Sequence, residues 1–273
     1  MTESSSGERE HGFHAPQTAK MGVLYVVGLG AGNRAGMTGE ALCALERADV
    51  IIGYRTYTEL VAAQFPDTEI IVSGMRQEIA RARTALDCAR TGKTVALVCS
   101  GDAGVYGMAS LCYELYAADS GVIPPSAPVE IVVVAGVTAA LSGAALLGAP
   151  LANDFAVISL SNLLTPQEVI IRRLRAASQG DFCIALYNPR SHGRPDALRA
   201  ACAILLETRA SSTPCGWVRN VGRAGEEAHI CTLTELSEAL LDMCCTAFVG
   251  NSTTRICAIG SSLRLITPRG YEH

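Results

Sequence analysis

The sequence predicts two α/β domains with a ligand cleft between them, and three observations carry that expectation. Short apolar runs alternate with longer helix-compatible stretches, the rhythm of repeated strand–helix units. Three of the early runs open into turns of small residues: Gly28-Leu29-Gly30-Ala31-Gly32, then Ser100-Gly101-Asp102-Ala103-Gly104-Val105-Tyr106-Gly107, then Gly136-Val137-Thr138-Ala139-Ala140. The chain of 273 residues is 49% apolar and 18% charged, which is room for two cores of about 120 residues each. The domains are drawn at 21–137 and 138–273.

The elements follow in order. Leu24-Tyr25-Val26-Val27 reads as a strand, and 37–48 as a helix with Leu42, Leu45 and Ala48 on one face. Val50-Ile51-Ile52 and Ile70-Ile71-Val72 read as short buried strands, with a helix over 77–90 stopped by Thr91-Gly92. Strand 94–98, helix 105–118 and strand 129–135 complete the first domain, the prolines of 121–128 marking a loop. After a small-residue helix over 138–147 the pattern restarts with strand 156–161. Pro166 sits at a helix's first turn and introduces 168–177. Then come strand 182–187, a polar loop over 188–195, helix 196–207, strand 216–219, a helix over 232–240 capped by Thr234, and strand 247–249 running into Gly250-Asn251-Ser252.

Composition excludes several classes. A net charge of −4 gives no reason to expect nucleic acid or an anionic membrane as partner, and no apolar run reaches the roughly 18 residues of a membrane span. Residues 1–20 are polar, lack the apolar centre of a signal peptide and read as a disordered leader, with Met21 as an alternative start; the expected location is cytoplasmic. The eleven cysteines include no C-x-x-C, their count is odd, and Cys99, Cys183, Cys202 and Cys257 lie inside apolar runs. They read as small buried hydrophobes. The five histidines are scattered, so no metal site or iron–sulfur centre is expected.

Open α/β sheets take ligands just beyond the carboxyl ends of their strands, where glycine lets backbone groups approach closely. Asp102 adds a negative charge to that opening. A phosphate site favours positive charge there, so an acidic, glycine-lined crevice suits a polar or cationic ligand. Asp102 also stands where a helix cap would. Gly28-Leu29-Gly30-Ala31-Gly32 lacks the third fingerprint glycine and any following Lys-Ser/Thr, and Gly53-Tyr54-Arg55, not an acidic residue, ends the next strand. A tight strand–helix turn or a turn admitting a bulky substrate fits this loop better than a nicotinamide site.

These turns, together with Gly250-Asn251-Ser252, resemble those of the tetrapyrrole methylases, S-adenosylmethionine-dependent enzymes of sirohaem and cobalamin synthesis. The resemblance spans 21–271. Within the family the chain is most similar to the precorrin-3B C17-methyltransferases, through Gly53-Tyr54-Arg55-Thr56-Tyr57, Ile158-Ser159-Leu160-Ser161-Asn162-Leu163-Leu164-Thr165-Pro166 and Leu186-Tyr187-Asn188-Pro189-Arg190-Ser191. Val218-Arg219-Asn220-Val221-Gly222-Arg223 and Thr267-Pro268-Arg269-Gly270-Tyr271 are also shared. The chain departs from the family with Ala103 and Ala31 in place of frequent prolines and Asn162 in place of a frequent aspartate. The alanines loosen their loops without removing a donor or acceptor; Asn162 removes a charge.

The resemblance implies two α/β domains of the tetrapyrrole methylase type, distinct from the Rossmann-type methyltransferases, with S-adenosylmethionine folded in the cleft. It implies cofactor contacts from Gly101, Asp102, Val105, Tyr106, Thr138, Ala139, Leu186 and Tyr187, and a first loop (Gly28, Gly30, Gly32) facing the tetrapyrrole. It further implies methylation at C17 coupled to ring contraction, a step that needs acid–base help at an oxygen on C20, and a homodimer. Whether the substrate is precorrin-3B or its cobalt-containing counterpart stays open. The substrate's carboxylates call for guanidinium forks, and between 190 and 223 six arginines stand against Asp196 and Glu207 alone. Arg194, Arg219, Arg223 and Arg55 are the expected substrate contacts. Arg190 and His192 are the expected catalytic pair, and Arg199 and Arg209 read as solvated helix surface. A methylase acting at another ring carbon and a tetrapyrrole carrier without methyl transfer are the alternatives. A diphthine- or ribosomal-RNA-type relative fits less well, given the C17-type segments and the absence of basic charge.

Overall fold

Apolar runs such as Val50-Ile51-Ile52 and Val95-Ala96-Leu97-Val98 are buried throughout, as strands covered on both faces must be. The computed structural model describes residues 20–119 and 128–272. Apart from Lys20 and Pro128, the leader expected over 1–20 and the loop expected over 121–128 lie outside the described residues. In the first half, β1 (Gly22–Gly28), β2 (Val50–Tyr54), β3 (Glu69–Ser73), β4 (Thr94–Cys99) and β5 (Val129–Val134) form one parallel sheet in the order β3-β2-β4-β1-β5. Helices α1 (Gly39–Glu46) and α2 (Arg55–Ala62) cover one face, where Ala41, Leu45 and Val61 meet Val27, Ile51 and Val98. Helices α3 (Glu78–Arg90) and α4 (Ala109–Asp119) cover the other, where Leu86 and Cys112 meet Leu24, Ile52 and Leu97.

Helix α5 (Ala139–Leu147) carries the chain into the second half, where it packs on β9, β10 and β11. The elements that follow are β6 (Gly148–Ala149), β7 (Phe155–Ser159), α6 (Gln167–Gln179), β8 (Cys183–Tyr187), α7 (Ala197–Leu205), β9 (Pro214–Arg219) and β10 (Glu227–Thr232). The chain ends with α8 (Leu233–Glu238), β11 (Cys245–Val249), β12 (Arg255–Ile259) and β13 (Ser262–Ile266). The second five-stranded sheet runs β10-β9-β11-β8-β7, with β11 antiparallel to both neighbours, and a small third sheet runs β12-β13-β6. Leu174, Leu198, Leu205 and Leu233 fill one face of the second sheet; Ala140, Ala144, Leu147 and Phe248 fill the other.

Several expectations change on the structure. The strand at 70–72 is a half-exposed sheet edge with Val72 in solvent, not a buried strand. The helix expected over 105–118 begins only at Ala109, because Tyr106 adopts a positive φ of 54°. Helix α2 was hidden by Thr56, Tyr57 and Thr58, two β-branched residues about an aromatic one, and Thr58 Oγ1 bonds back to Arg55 O within its first turn. Thr232, not Thr234, caps α8, in a reciprocal capping box with Glu235. Arg209 is not solvated surface: its guanidinium donates to Ser178 Oγ at 3.0 Å, Phe182 O at 2.6 Å and Gly250 O. It ties the end of α7 to β8 and β11, and burial lowers its pKa. Among the described residues no helix is long and apolar enough to cross a membrane, and no group of three potential metal ligands gathers.

Cys99, Cys112, Cys183, Cys202, Cys215 and Cys245 are buried, as expected of thiols used as hydrophobes. Burial pushes Cys99 up to about 11 and Cys112 and Cys202 up to about 12, so the nucleophilic thiolate is scarce. In the native protein an aromatic disulfide reagent at mildly alkaline pH is expected to label Cys43 and Cys244, the exposed thiols, promptly, and the buried ones only after unfolding. Labelling of Cys99 or Cys112 at a comparable rate, read by peptide mass, contradicts this core.

Candidate functional site

All five strands of the first sheet end at one edge. Between the neighbours β1 and β4 the chain leaves to opposite faces, toward α1 and α4, which makes the crevice where open sheets hold ligands. Here that crevice is closed. Gly30 N donates to Gly101 O and Gly101 N to Gly30 O, both at 2.9 Å, with both residues at positive φ. The third turn joins them: a Cβ on Gly136 would lie 2.1 Å from Gly101 O, and one on Gly28 would lie 2.7 Å from the same oxygen. These glycines let three backbones pack on one another, rather than opening the crevice to a ligand.

Asp102 fastens this contact. Its Oδ1 accepts from Gly104 N at 2.8 Å and Val105 N at 3.0 Å, and its Oδ2 accepts from Gly136 N at 2.9 Å. It is a staple between two turns, not a cap, since α4 starts seven residues later at Ala109. Three backbone N–H groups thus point at the one carboxylate. Val105 and Tyr106 are left exposed at the mouth, 36% and 56%.

Two tyrosines stand where the halves meet, and Tyr106 bonds across. Tyr106 Oη donates to Val157 O and accepts from Ser159 N, each at 3.1 Å, closing the free edge of β7. Tyr187 Oη shares a 2.5 Å hydrogen bond with Thr138 Oγ1 and accepts from Ala140 N at 2.7 Å. Burial raises the Tyr187 pKa above its ordinary value, so the phenol stays neutral. The two rings stand 5.4 Å apart. Gly101, Asp102, Val105, Tyr106, Thr138, Ala139 and Tyr187 therefore gather in one place. Leu186 does not: its side chain is fully buried among Ile158, Leu198 and Ala247, so only its backbone is available.

The arginines divide by what they already hold. Arg194 donates to Leu160 O at 2.7 Å and braces the exits of β7 and β8, burial lowering its pKa. Arg219 is bound to Glu227 and Asp242 and lies over Trp217. Arg223 donates to Ala31 O and Ser100 Oγ. These three expected substrate contacts are thus engaged with the protein, whereas the exposed Arg55 has no side-chain partner among the described residues. His192 is exposed and Arg190 lines a recess with Asp196, Glu238 and Leu241, so neither expected catalytic residue is brought against the Asp102 turns.

Arg81 was missed. Its guanidinium is buried, donates to Ser73 Oγ and Gly74 O, and lies over the Tyr54 ring, fixing the ends of β2 and β3. The signal was present: Arg81 shares a helical stripe with Ala85 and Leu86's apolar face, an odd position for a charge. Asn33, which bonds across to Gly222, carries no sequence signal, and Ser100, though it opens a quoted turn, gives no hint of its bond to Arg223.

The sequence profile of the family described as Tetrapyrrole (Corrin/Porphyrin) Methylases matches residues 23–237. The chain is a tetrapyrrole methylase. The methylase is 44% identical over 249 residues to a protein of Salmonella typhimurium described as a probable cobalt-factor III C(17)-methyltransferase, a match covering 91% of this chain and 99% of that one. It is 40% identical over 251 residues to a precorrin-3B C(17)-methyltransferase of Sinorhizobium sp, covering 92% and 97%. Its fold is similar to the crystal structure of the methyltransferase CobJ, with a TM-score of 0.82, 36% identity and coverage of 90% and 100%. A uroporphyrin-III C-methyl transferase from Thermus thermophilus, complexed with S-adenyl homocysteine, matches with a TM-score of 0.63 and 25% identity over 84% of this chain and 97% of that one. The expected fold, that of the tetrapyrrole methylases, is the observed one.

Asp102→Asn tests the staple. The amide must turn its NH2 toward either Gly136 N–H or the Gly104/Val105 pair, placing donor against donor. Losing charge-assisted bonds of this kind costs about 2–4 kcal/mol. Urea unfolding is expected to show that loss, and titration with S-adenosylhomocysteine a Kd raised at least about tenfold. An Asn variant as stable as the parent overturns the staple.

Proposed function

We propose that this methylase transfers a methyl group from S-adenosylmethionine to C17 of a precorrin-3-type tetrapyrrole, with coupled ring contraction, in cobalamin synthesis. The observation that carries the reading is the preformed wall of the Asp102-stapled turns and Tyr187. The similarity to the two C17-methyltransferases supports the position of transfer. The units on either side of the cleft are taken as 21–137 and 138–273, and two copies as a homodimer in the cytoplasm.

The gathered residues fit the cofactor's chemistry. The backbone N–H groups of Gly104, Val105 and Gly136 are already taken by the Asp102 carboxylate, so they are not free to cradle a phosphate. Two electron-rich rings 5.4 Å apart and a nearby carboxylate suit a cation. S-adenosylmethionine, when bound, supplies an electrophilic methyl on a sulfonium centre. The chain's own part is positional. The stapled turns and Tyr187 hold one ligand in a fixed pose, and the Gly28–Gly32 region presents the other. The nucleophile is the electron-rich ring carbon, so no covalent protein intermediate is needed and alignment at near-attack distance supplies the rate. Arg55, exposed and unengaged, takes a peripheral carboxylate.

Anaerobic incubation with S-adenosylmethionine and precorrin-3B, and separately with its cobalt-containing counterpart, followed by mass and NMR analysis, tests this. One added methyl at C17 and a contracted ring are expected with one of the two. Methylation at another carbon reassigns the step, and cofactor binding without turnover on either substrate overturns the C17 reading. Tetrapyrrole binding without cofactor binding identifies a carrier.

A further inference from the structure

Arg223 reaches across the cleft from a turn built to aim it. After β9 the chain reverses through Asn220 and Gly222, both at positive φ, and the turn is tied by Arg223 N to Asn220 O at 2.9 Å and Gly222 N to Glu226 Oε2 at 2.6 Å. Gly222 O accepts from Asn33 Nδ2 at 2.9 Å. The Arg223 guanidinium then donates from Nε to Ala31 O at 3.0 Å and from Nη2 to Ser100 Oγ at 2.8 Å. Two glycines make the approach possible: a Cβ on Gly32 would lie 3.1 Å from Arg223 Nε, and one on Gly222 would lie 2.7 Å from Ala31 Cβ. Both acceptors are neutral, and the nearest acidic residue of the turn, Glu226, is turned to the backbone instead.

The two acceptors lie in turns proposed for different ligands, each one residue from the Gly30–Gly101 backbone pair that joins those turns at their base. Ala31 lies in the first glycine loop, on the side proposed for the tetrapyrrole, and Ser100 opens the turn proposed for the cofactor. One planar fork of fixed geometry therefore spans both. We infer that Arg223 is a positioning residue that couples the two sites, holding the tetrapyrrole loop and the cofactor turn at reacting distance, instead of binding a substrate carboxylate itself. This rests on the methyl-transfer reading above. Misplacement by about 1 Å costs up to about a hundredfold in rate. A lysine has a single donor nitrogen in place of the two that Arg223 uses, and no rigid fork to hold the two acceptors in register.

The test is a double-mutant cycle of Arg223→Ala and Ser100→Ala, with Arg223→Lys beside it. Each Arg223 variant is expected to lower kcat about tenfold to a hundredfold, while the S-adenosylhomocysteine Kd and the tetrapyrrole KM stay within about threefold. The double variant is expected to be no slower than Arg223→Ala alone, and free guanidinium to restore part of kcat in Arg223→Ala but not in Ser100→Ala. A raised tetrapyrrole KM at unchanged kcat, or additive effects, overturns the inference in favour of direct carboxylate binding.

Amide exchange gives a readout apart from turnover. Adding S-adenosylhomocysteine to the wild type is expected to slow exchange in 29–33, and the Arg223→Ala substitution to abolish that slowing while the ligand still binds. Slowing that persists in the variant overturns the coupling. If Arg223→Ala does not fold, Ser100→Ala, a small change at the other end of the same bond, carries both measurements. Absence of methyl transfer by the wild type counts against the proposed function alone, because the exchange experiment still decides the coupling.

Discussion

The cleft depends on a place where three backbones meet with no room for a side chain. Gly28, Gly101 and Gly136 come from turns far apart in the chain; a Cβ on Gly28 or Gly136 would be driven into another's main chain, and Gly101 holds a positive φ of 67°. Once they touch, the N–H of Gly136 points at the Asp102 carboxylate, and the second and third turns become one rigid surface. Val105, Tyr106, Thr138 and Ala139 owe their positions to that surface. Alanine at position 136 would have to part Gly101 from Gly28 before any ligand was considered.

Across the cleft the solution is different. The second half contributes no glycine turn of this kind; it is fastened by side chains that end in backbone partners. Tyr106 Oη fills the donor and acceptor of an open strand edge, Tyr187 Oη fills the first turn of α5, and Arg223 holds two loops. Buried main-chain groups must be paired, so phenols and a guanidinium take the place of a neighbouring strand. The same requirement accounts for Arg194 and Arg209, whose charges serve carbonyl oxygens. Local arginine enrichment therefore marks chain crossings here.

Most of the fold was legible because apolar runs and glycine turns are local signals. The strands of the first sheet read directly, as did α3, α6 and α7 to within a few residues. What stayed hidden has local causes as well. Edge strand β10 exposes the consecutive residues Ala228 and His229, so its alternation is blurred, and α2 carries Thr56, Tyr57 and Thr58, all of modest helix propensity, in its first turn. Strands β12 and β13 form a small hairpin in which β12 is mostly exposed and only Leu265 of β13 is fully buried. The candidate site divides the same way. The three turns and Tyr187 stand out as motifs, whereas the partners of Arg223 follow only from the folded chain. Leu186 shows the limit of carrying a motif over residue by residue: the position matches, but strand alternation turns its side chain into the core.

The bonds that close the cleft are among the longest in sequence that the chain makes: Arg223 to Ala31 spans 192 residues and Asn33 to Gly222 spans 189. Each sheet, by contrast, is assembled within its own half. Chain-closure entropy must be met before such distant contacts can reward it. During synthesis the first half can therefore build its sheet and its glycine contact while Ala31 O and Ser100 Oγ still face water. The cleft is completed only once β11 has entered between β9 and β8 and the turn after β9 is held in place, so its closure waits on the assembly of both sheets.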